Sequence, residues 1–285
     1  MTIEVKDLKY IYSPDMPGET TALDGVSFDV TEPSIIGIIG HTGSGKSTLL
    51  QHLNGLIKPT SGEIYIDGEC ITDEKKNLTD VRRKIGLVFQ YPEHQLFEET
   101  VAKDVAFGPK NLGLEEEDID RRVRRALYMV GLDYDEVADV SSFELSGGMK
   151  RRAAIAGVIA MEPAILMLDE PMAGLDPQAH RDMLALIKKV QRDMKLIILI
   201  VSHNMADVAE LSDRVLVMSK GRIIMDDGPH EIFKRYDELS AMGLSVPPAA
   251  EIAQKISKKV KGFESNPLSI RELADDIEEF RRTKR

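Results

Sequence analysis

The residues at positions 40–47 read Gly-His-Thr-Gly-Ser-Gly-Lys-Ser and directly follow an apolar run at 34–39. The glycines let successive backbone N–H groups turn inward, and the start of a following helix adds partial positive charge. Lys46 can then reach the β- and γ-phosphates of a nucleotide, and the Ser47 hydroxyl can hold Mg²⁺. We therefore predict a phosphate loop that opens a helix over 46–58 and binds a nucleoside triphosphate. Its phosphate-binding residues are predicted to be Gly40, His41, Thr42, Gly43, Ser44, Gly45, Lys46, Ser47 and Thr48.

Two adjacent carboxylates, Asp169 and Glu170, follow the apolar run at 164–168. A carboxylate at the end of a buried strand can ligate Mg²⁺ directly or through water, which suits Asp169. The next side chain points elsewhere and can polarise a water that attacks the γ-phosphate. We predict that Asp169 helps to hold the metal and that Glu170 is the general base.

A second anion site is indicated by Leu145-Ser146-Gly147-Gly148, which opens a helix. A serine hydroxyl and exposed glycine N–H groups at a helix start bind anions by the same physics as the phosphate loop. One chain rarely needs two such sites for one phosphate group. The turn at 145–148 is therefore predicted to serve the nucleotide of a neighbouring subunit.

The elements that must position these residues alternate between strands and helices, which predicts an α/β fold. The apolar runs at 164–168 and 195–201 are typical of parallel strands buried on both faces, and the helix predicted over 177–194 joins them as a β-α-β crossover. Between about 100 and 161 the pattern is helical without a strand candidate, and after about 230 it is amphipathic and helical. Further strands are predicted over 3–8, 26–30, 62–68 and 85–89.

Composition limits the possible partners and compartments. The 285 residues carry a formal net charge of −11, which argues against a polyanion bound across the whole surface. The single cysteine, Cys70, excludes an internal disulfide framework and is predicted to be a small strand-end residue. No apolar stretch approaches the ~20 residues of a membrane span, and no secretory signal is visible. Any link to a membrane is therefore expected to come through a partner.

Taken together, these motifs make residues 3–229 resemble the nucleotide-binding subunit of an ABC transporter. The resemblance implies a P-loop NTPase core (ABC ATPase) at 1–229 with a mixed sheet, an antiparallel β subdomain and an α-helical subdomain at about 100–161. It leaves 230–285 as a small C-terminal helical extension, which we expect to steady a pair of ATPases. It also implies that two subunits pair head to tail, each ATP lying between one phosphate loop and the other subunit's Ser146, Gly147 and Gly148.

The same resemblance implies roles for individual side chains around ATP and Mg²⁺. Tyr12 would stack on adenine, although Tyr10 competes for that role. Gln90 would touch Mg²⁺ or the attacking water and sense the transmembrane partner. Asp176 belongs to a loop at 173–176 that would cross the dimer. The catalytic set implied is Lys46, Gln90, Glu170 and His203, where His203 is the switch histidine that meets the γ-phosphate, and the metal set is Ser47, Gln90 and Asp169.

One stretch is similar to a narrower group, the energy-coupling factor (ECF) transporter ATPases: Phe-Gln-Tyr-Pro-Glu-His-Gln-Leu-Phe at 89–97. The segments at 40–49, 51–56, 100–101 and 106–113 share this similarity. It implies a motor subunit of an importer for a vitamin or a transition-metal ion, peripheral at the cytoplasmic face of the cell membrane. Its partners would be a second ATPase, an integral membrane T component and a substrate-binding S component, with no nucleic acid. A helix of the partner would dock in a groove between residues 90–97 and the helical subdomain.

Two departures from the family pattern keep alternatives open. Met149 stands where the signature usually has Gln, and Met172 stands where Thr or Ser usually follows Glu170-Pro171. Met149 leaves open whether both shared ATP sites turn over equally, and whether the chain is a regulatory subunit. A non-transport ABC ATPase associated with nucleic acid is the other alternative, and the second ATPase could be a copy or a paralogue.

Overall fold

The computed structural model of the chain describes residues 1–73 and 78–283. The strands are β1 (Ile3–Tyr12), β2 (Thr20–Val30), β3 (Ile35–Ile39), β4 (Ser61–Ile66), β5 (Glu69–Cys70), β6 (Ile85–Val88), β7 (Ile165–Asp169), β8 (Ile197–Val201), β9 (Arg214–Ser219) and β10 (Arg222–Asp227). The helices are α1 (Lys46–Leu53), α2 (Thr79–Lys84), α3 (Val101–Asn111), α4 (Glu116–Met129), α5 (Tyr134–Val137), α6 (Gly147–Ile159), α7 (Pro177–Met194), α8 (Met205–Leu211), α9 (Pro229–Phe233), α10 (Tyr236–Ala241), α11 (Pro248–Ser257) and α12 (Ile270–Thr283).

The strands form two sheets. A four-stranded antiparallel sheet has the order β2-β1-β4-β5, and a six-stranded sheet has the order β10-β9-β3-β8-β7-β6. In the larger sheet β9, β3, β8, β7 and β6 run parallel, and only β10 is antiparallel. The predicted α/β fold with a mixed sheet and a separate antiparallel sheet is therefore confirmed.

The larger sheet is buried on both faces, as its continuous apolar runs predict. Along β7, Leu166 and Leu168 join a hydrophobic cluster with helices α3, α4, α6 and α7, while Ile165 and Met167 join a second cluster. That second cluster contains side chains of β1, β2, β4 and α1. Successive strand residues point to opposite faces of a sheet. The central sheet therefore packs against the helical layer on one face and against the antiparallel sheet on the other.

The helix after the phosphate loop is shorter than the sequence predicts. It ends at Leu53, not at residue 58, because Asn54 caps it and Gly55 takes a left-handed conformation with φ of 64°. The first two strands, in contrast, are longer than the predicted runs at 3–8 and 26–30. The helix predicted over 177–194 has the predicted bounds.

A hairpin formed by β9 and β10 is absent from the sequence-based prediction. Its turn consists of Lys220 and Gly221, both with positive φ, as a two-residue hairpin loop requires. The Gly221 N–H donates to the Ser44 carbonyl at 3.1 Å, and its carbonyl accepts from the Asp24 N–H at 2.9 Å. This turn therefore ties the phosphate loop to the antiparallel sheet.

Residues 100–161 carry helices α3 to α6 and no strand, as predicted. The predicted extension at 230–285 contains α10, α11 and α12, and its last two residues lie outside the described part of the chain. Phe263 and Phe280 of this extension meet edge to face at 5.3 Å between ring centroids. No helix in the described ranges is long and apolar enough to cross a membrane.

Candidate functional site

The predicted site residues gather at one edge of the larger sheet. Strands β3, β8, β7 and β6 run parallel and adjacent, so their carboxyl ends meet at the same edge. The phosphate loop follows β3, and Asp169 ends β7. His203 and Gln90 follow β8 and β6 by two residues. The topology thus brings together residues that are far apart in the sequence.

Two glycines of the phosphate loop have no room for a side chain. A Cβ at Gly40 would lie 2.3 Å from the Met218 carbonyl oxygen, and one at Gly45 would lie 2.5 Å from the Ala22 carbonyl oxygen. Gly45 also has φ of 104°, a left-handed conformation that other residues avoid. The backbone therefore packs too tightly here for any residue but glycine, and this packing shapes the loop.

Lys46 lies at the first position of α1 with its side chain buried. Its ammonium group donates to the Gly40 carbonyl at 2.8 Å and to the His41 carbonyl at 3.1 Å. Burial lowers the pKa of this amine, and the charges of Glu170 and Asp169 act in the opposite direction. The amine is thus held in the mouth of the loop, where it can meet a phosphate.

Beside the loop, Tyr12 and not Tyr10 offers an open ring face. Tyr12 is 41% exposed, and its hydroxyl lies 3.2 Å from Thr48 Oγ1 on α1. Tyr10 packs against the core cluster, and its ring meets that of His52 edge to face at 4.6 Å. The geometry favours Tyr12 as the residue that stacks on a base, next to the exposed Ser47.

Glu170 has a strained backbone in a fixed position. Its φ of 53° is unusual for a residue with a side chain, and its N–H donates to the Val201 carbonyl at 3.0 Å. The carboxylate is only 13% exposed. Oε2 accepts from the His203 N–H at 3.4 Å, and His203 Nε2 lies 3.3 Å from Oε1. Oε1 is buried, and within the described residues it makes no hydrogen bond of suitable geometry, although His203 Nε2 lies beside it.

The surroundings of Glu170 and His203 shift the pKa of each side chain. Burial, with a smaller contribution from the Asp169 charge, raises the pKa of Glu170 from 4.5 to about 7, although the His203 N–H and Lys46 oppose the shift. Burial and the nearby Lys46 charge lower the pKa of His203. A carboxylate with a pKa near neutrality is well matched to accept a proton from water.

This shift predicts a pH-dependent gain in stability for Glu170→Gln. The folded protein holds a proton on Glu170 up to about pH 7, whereas an unfolded chain releases it above its ordinary pKa. Stability therefore falls as pH rises from about 4.5 to 7, by roughly 2–3 kcal/mol. The nucleotide-free Glu170→Gln variant should melt several degrees higher than the parent at pH 8, with the difference vanishing near pH 5.

Calorimetry or circular dichroism of the nucleotide-free proteins across pH 5 to 8 checks this expectation. The exposed Glu136, changed to Gln, is the matched control and should show no such pH-dependent gain. A difference between parent and Glu170→Gln that is the same at pH 5 and pH 8 contradicts the raised pKa.

The second anion site has the expected geometry at the start of α6. Ser146 caps the helix by accepting from the Met149 N–H at 3.3 Å. Ser146, Gly147 and Gly148 line a cavity of about 360 Å³ together with residues 174–176 of the loop after β7. No residue of the phosphate loop lines this cavity. The chain therefore has two separate helix starts with the chemistry to bind an anion, the phosphate loop before α1 and the Ser146 turn before α6.

The two methionines that depart from the family pattern both pack on apolar side chains. Met149 is half-buried against the hydrophobic cluster of the helical layer, and Met172 is buried within that cluster.

Asp176 caps the N-terminus of α7. Its carboxylate accepts from the Ala179 and Gln178 N–H groups at 3.0 and 2.9 Å, and these hydrogen bonds lower the pKa of Asp176.

Sequence reasoning missed Arg151, a buried arginine on α6 that is only 2% exposed. Its guanidinium forms an ion pair with Glu93, in the turn after Gln90, at 3.1 Å. It also donates to the Pro171 carbonyl at 3.0 Å and to the Ala173 carbonyl at 2.7 Å. The only signal in the sequence is an arginine in the mainly apolar helix after the serine cap, which does not by itself reveal these partners.

The residues predicted to hold Mg²⁺ fit that ion by their chemistry. Ser47, Asp169 and Gln90 offer a hydroxyl, a carboxylate and an amide oxygen, the hard oxygen donors that Mg²⁺ prefers. Among residues 1–73 and 78–283, no cluster of three or more His, Cys, Asp or Glu side chains could hold a metal by itself. Such a sparse donor set suits a cation that brings phosphate oxygens and waters as its other ligands.

Comparisons with known proteins identify the family of this chain. The family described as "ABC transporter" matches residues 23–173. The energy-coupling factor transporter ATP-binding protein EcfA2 of Clostridium perfringens is 51% identical over 259 residues, covering 91% of each chain. EcfA2 of Clostridium acetobutylicum is 52% identical over 264 residues, covering 93% of this chain and 92% of the relative.

Two solved structures extend the similarity to the fold. CbiO1 of Clostridium perfringens, described as part of the ABC transporter complex cbiONQ, superposes with a TM-score of 0.75 at 36% identity, covering 90% of this chain and 95% of the other. The ATP-binding cassette MJ0796, a dimer in a post-hydrolysis state bound to ADP and Pi, has a TM-score of 0.70 at 29% identity. That match covers 80% of this chain and 98% of MJ0796.

Proposed function

This chain belongs to the ABC transporter family, among the ATP-binding subunits of energy-coupling factor transporters, and from this premise we propose how it works as a transport ATPase. Two such subunits pair head to tail, and each ATP binds between the phosphate loop of one and the Ser146 turn of the other. The observation that carries this proposal is the separation of the two helix starts, before α1 and before α6, within one chain. A single nucleotide can use both only when two subunits contribute to it.

In the closed site, the chain's own residues position and neutralise the phosphates. Lys46 and the loop N–H groups hold the β- and γ-phosphates, and Tyr12 stacks on the adenine. Ser47, Asp169 and Gln90 would hold Mg²⁺, which would supply positive charge against the phosphates. Glu170 accepts a proton from the attacking water, and His203, whose Nε2 lies 3.3 Å from Glu170, contacts the γ-phosphate.

The membrane partners dock on an apolar groove, which we call the partner groove. It is a cavity of about 610 Å³ between the segment after Gln90 and helices α2, α3 and α6, and its mainly apolar lining also includes Arg82, Arg83 and Asp104. Phe97, 60% exposed, and Phe107, 42% exposed, stand in it with ring centroids 4.8 Å apart. An amphipathic helix of the T component would place its apolar face in such a groove.

The T component would in turn carry an S component that captures a vitamin or a transition-metal ion. The chain itself would remain peripheral at the membrane, with its extension from residue 230 steadying the ATPase pair. The apolar contacts of Phe263, Leu273 and Phe280 hold the last part of that extension together, whereas Phe233, Leu239 and Val246 pack on the cassette itself.

Reconstitution tests the proposal as a whole. The chain, co-expressed with a second ATPase subunit and the membrane components of the same transporter, should purify as one complex and hydrolyse ATP faster than the ATPase subunits alone. Full-rate ATP hydrolysis by a strict monomer, indifferent to the membrane components and to a second subunit, contradicts it. Stimulation by DNA or RNA instead favours a nucleic-acid-associated ATPase.

Docking in the partner groove predicts that Phe97→Asp separates the chain from its membrane partner. A carboxylate at this position replaces an apolar contact and has to be desolvated when an apolar helix binds, which weakens binding by at least about tenfold. Co-purification with the membrane component should be lost, while ATP affinity of the isolated chain stays unchanged. Tyr128→Asp, at an aromatic that is 77% exposed outside the groove, is the control. Retained co-purification of Phe97→Asp places the docking surface elsewhere.

A further inference from the structure

Arg151 connects three parts of the molecule that the proposed function uses separately. It lies on α6, whose first turn is capped by Ser146. Its guanidinium contacts Glu93, which follows Gln90 closely, and the two carbonyls of Pro171 and Ala173, which follow Glu170. We propose that Arg151 is a positioning residue that transmits the effect of membrane-partner docking to the catalytic Glu170. This inference rests on the proposed function.

The geometry uses the whole guanidinium. Nε donates to Glu93 Oε2 at 3.2 Å, and Nη2 donates to Oε1 and Oε2, each at 3.1 Å. Nη1 donates to the Pro171 and Ala173 carbonyls. Nε and Nη2 thus face the carboxylate side by side, as in a bidentate arginine–carboxylate pair, while Nη1 faces the two carbonyls. The planar fork therefore fixes the carboxylate and the loop relative to each other, which a lysine ammonium cannot do.

Both ends of this connection reach functional groups within a few residues. Glu93 lies in the short helical turn Pro92–Gln95, and the next residues, Leu96 and Phe97, line the partner groove together with Gln95. At the other end, the Ala173 N–H donates to the Glu170 carbonyl at 3.1 Å, so the loop held by Arg151 is the one that sets the Glu170 backbone.

Burial gives the connection its stiffness. Arg151 is almost fully inaccessible, and the Glu93 side chain is 22% exposed. A charged pair in such surroundings does not exchange its partners for water easily, because either charge left alone would be desolvated without compensation. Movement of Glu93 when a helix enters the groove is therefore carried to the 171–173 loop and to α6 as one unit.

A positioning role differs from simple structural support in what it does to kinetics. Displacement of Glu170 by a fraction of an ångström lowers the rate of the chemical step while the phosphate loop continues to hold ATP. The KM for ATP should therefore change much less than kcat, although Arg151 and Glu93 also line the cavity beside Ser146. General destabilisation instead lowers the melting temperature and the amount of active protein together.

The test uses the complete complex, with the second ATPase and the membrane components in lipid nanodiscs. Glu93→Gln and Arg151→Lys should each lower the kcat of the complex by about tenfold or more, with the KM for ATP changed less than about twofold. The double variant should be no slower than the slower single variant, because both changes break the same connection. The stimulation of ATP hydrolysis by the membrane components should fall in parallel.

Arg125→Lys is the matched control. Arg125 forms an ion pair of the same type with Glu162 at 2.9 Å, in the same helical layer, but it contacts neither the partner groove nor the loop after Glu170. Its kcat should stay within about twofold of the parent, as surface ion pairs contribute little. Should Arg151→Lys fail to fold, Glu93→Gln alone carries the test, because Glu93 is the less buried partner.

Unchanged kcat in Glu93→Gln and Arg151→Lys overturns the inference. So does a loss of kcat that follows the loss of melting temperature and is accompanied by a rising KM. The ATPase activity of the parent complex distinguishes a failure of this inference from a failure of the proposed function. If the parent shows no stimulation by the membrane components, the proposed function is wrong. If it does and the variants match it, only the role of Arg151 is wrong.

Discussion

Glu170→Gln is expected to lower ATP turnover by about 10²-fold or more while ATP binds with nearly unchanged affinity. The amide keeps the size and the position of the carboxylate, whose backbone is fixed by the hydrogen bond to Val201. It cannot accept a proton from the attacking water. Because binding depends on the phosphate loop and not on this side chain, the loss should be in kcat alone.

Steady-state phosphate release and equilibrium binding of a fluorescent ATP analogue measure the two quantities. The variant should also trap the closed pair, so that ATP shifts it to the dimer in size-exclusion chromatography. Glu136→Gln, at an exposed carboxylate, should behave like the parent. Unchanged turnover in Glu170→Gln removes Glu170 from the role of general base.

Lys46→Met is expected to weaken ATP binding by about 10²-fold, with almost no residual turnover. Loss of a charge-assisted hydrogen bond to a phosphate in a buried site typically removes several kcal/mol of binding free energy. The nucleotide-free protein should lose little stability, since removal of a buried charged amine offsets the loss of its hydrogen bonds to the Gly40 and His41 carbonyls. A thioether of similar length fills the same space without that penalty.

Isothermal titration with ATP and melting curves without nucleotide check the two halves of this prediction. Lys58→Met, at an exposed lysine shortly after α1, is the matched control and should bind ATP like the parent. Normal ATP affinity in Lys46→Met would mean that the amine does not reach the phosphates.

Much of the site could be predicted from sequence because its motifs are local. The phosphate loop, the strand that ends in Asp169 and the helix start after Ser146 each need only a few consecutive residues to be recognised. The relative placement of these motifs also follows, since parallel strands bring their carboxyl ends to one edge. The structure has them in this arrangement.

What sequence reasoning missed depends on contacts between distant segments. Nothing near Arg151 in the sequence indicates that its partners are Glu93 and two carbonyl oxygens after Glu170. The β9–β10 hairpin, in contrast, has local signals that the prediction did not use. β9 contains a buried apolar run at 215–218, and the Lys220-Gly221 turn follows it, whereas the mostly exposed β10 lacks the apolar periodicity that marks a strand.

The end of α1 differs from its prediction in the other direction, because the sequence predicts a helix to residue 58 and the helix ends at Leu53. Residues 54–58 contain no proline, and their composition is compatible with a helix. Gly55, however, adopts a left-handed conformation, and the Leu56 N–H turns back to the Gln51 carbonyl at 2.9 Å. Glycine at this position favours a helix end, and this signal outweighs the apolar residues that follow.

The Gly221 turn has a consequence for synthesis on the ribosome. The loop that it supports is made early, near residue 44, whereas the turn emerges only after nearly the whole cassette has been translated. A nascent chain therefore carries an incompletely braced phosphate loop for most of its elongation, and contacts of such long sequence separation form late. The chain should consequently become able to bind nucleotide only near the end of translation. Incompletely translated chains would then not pair around ATP.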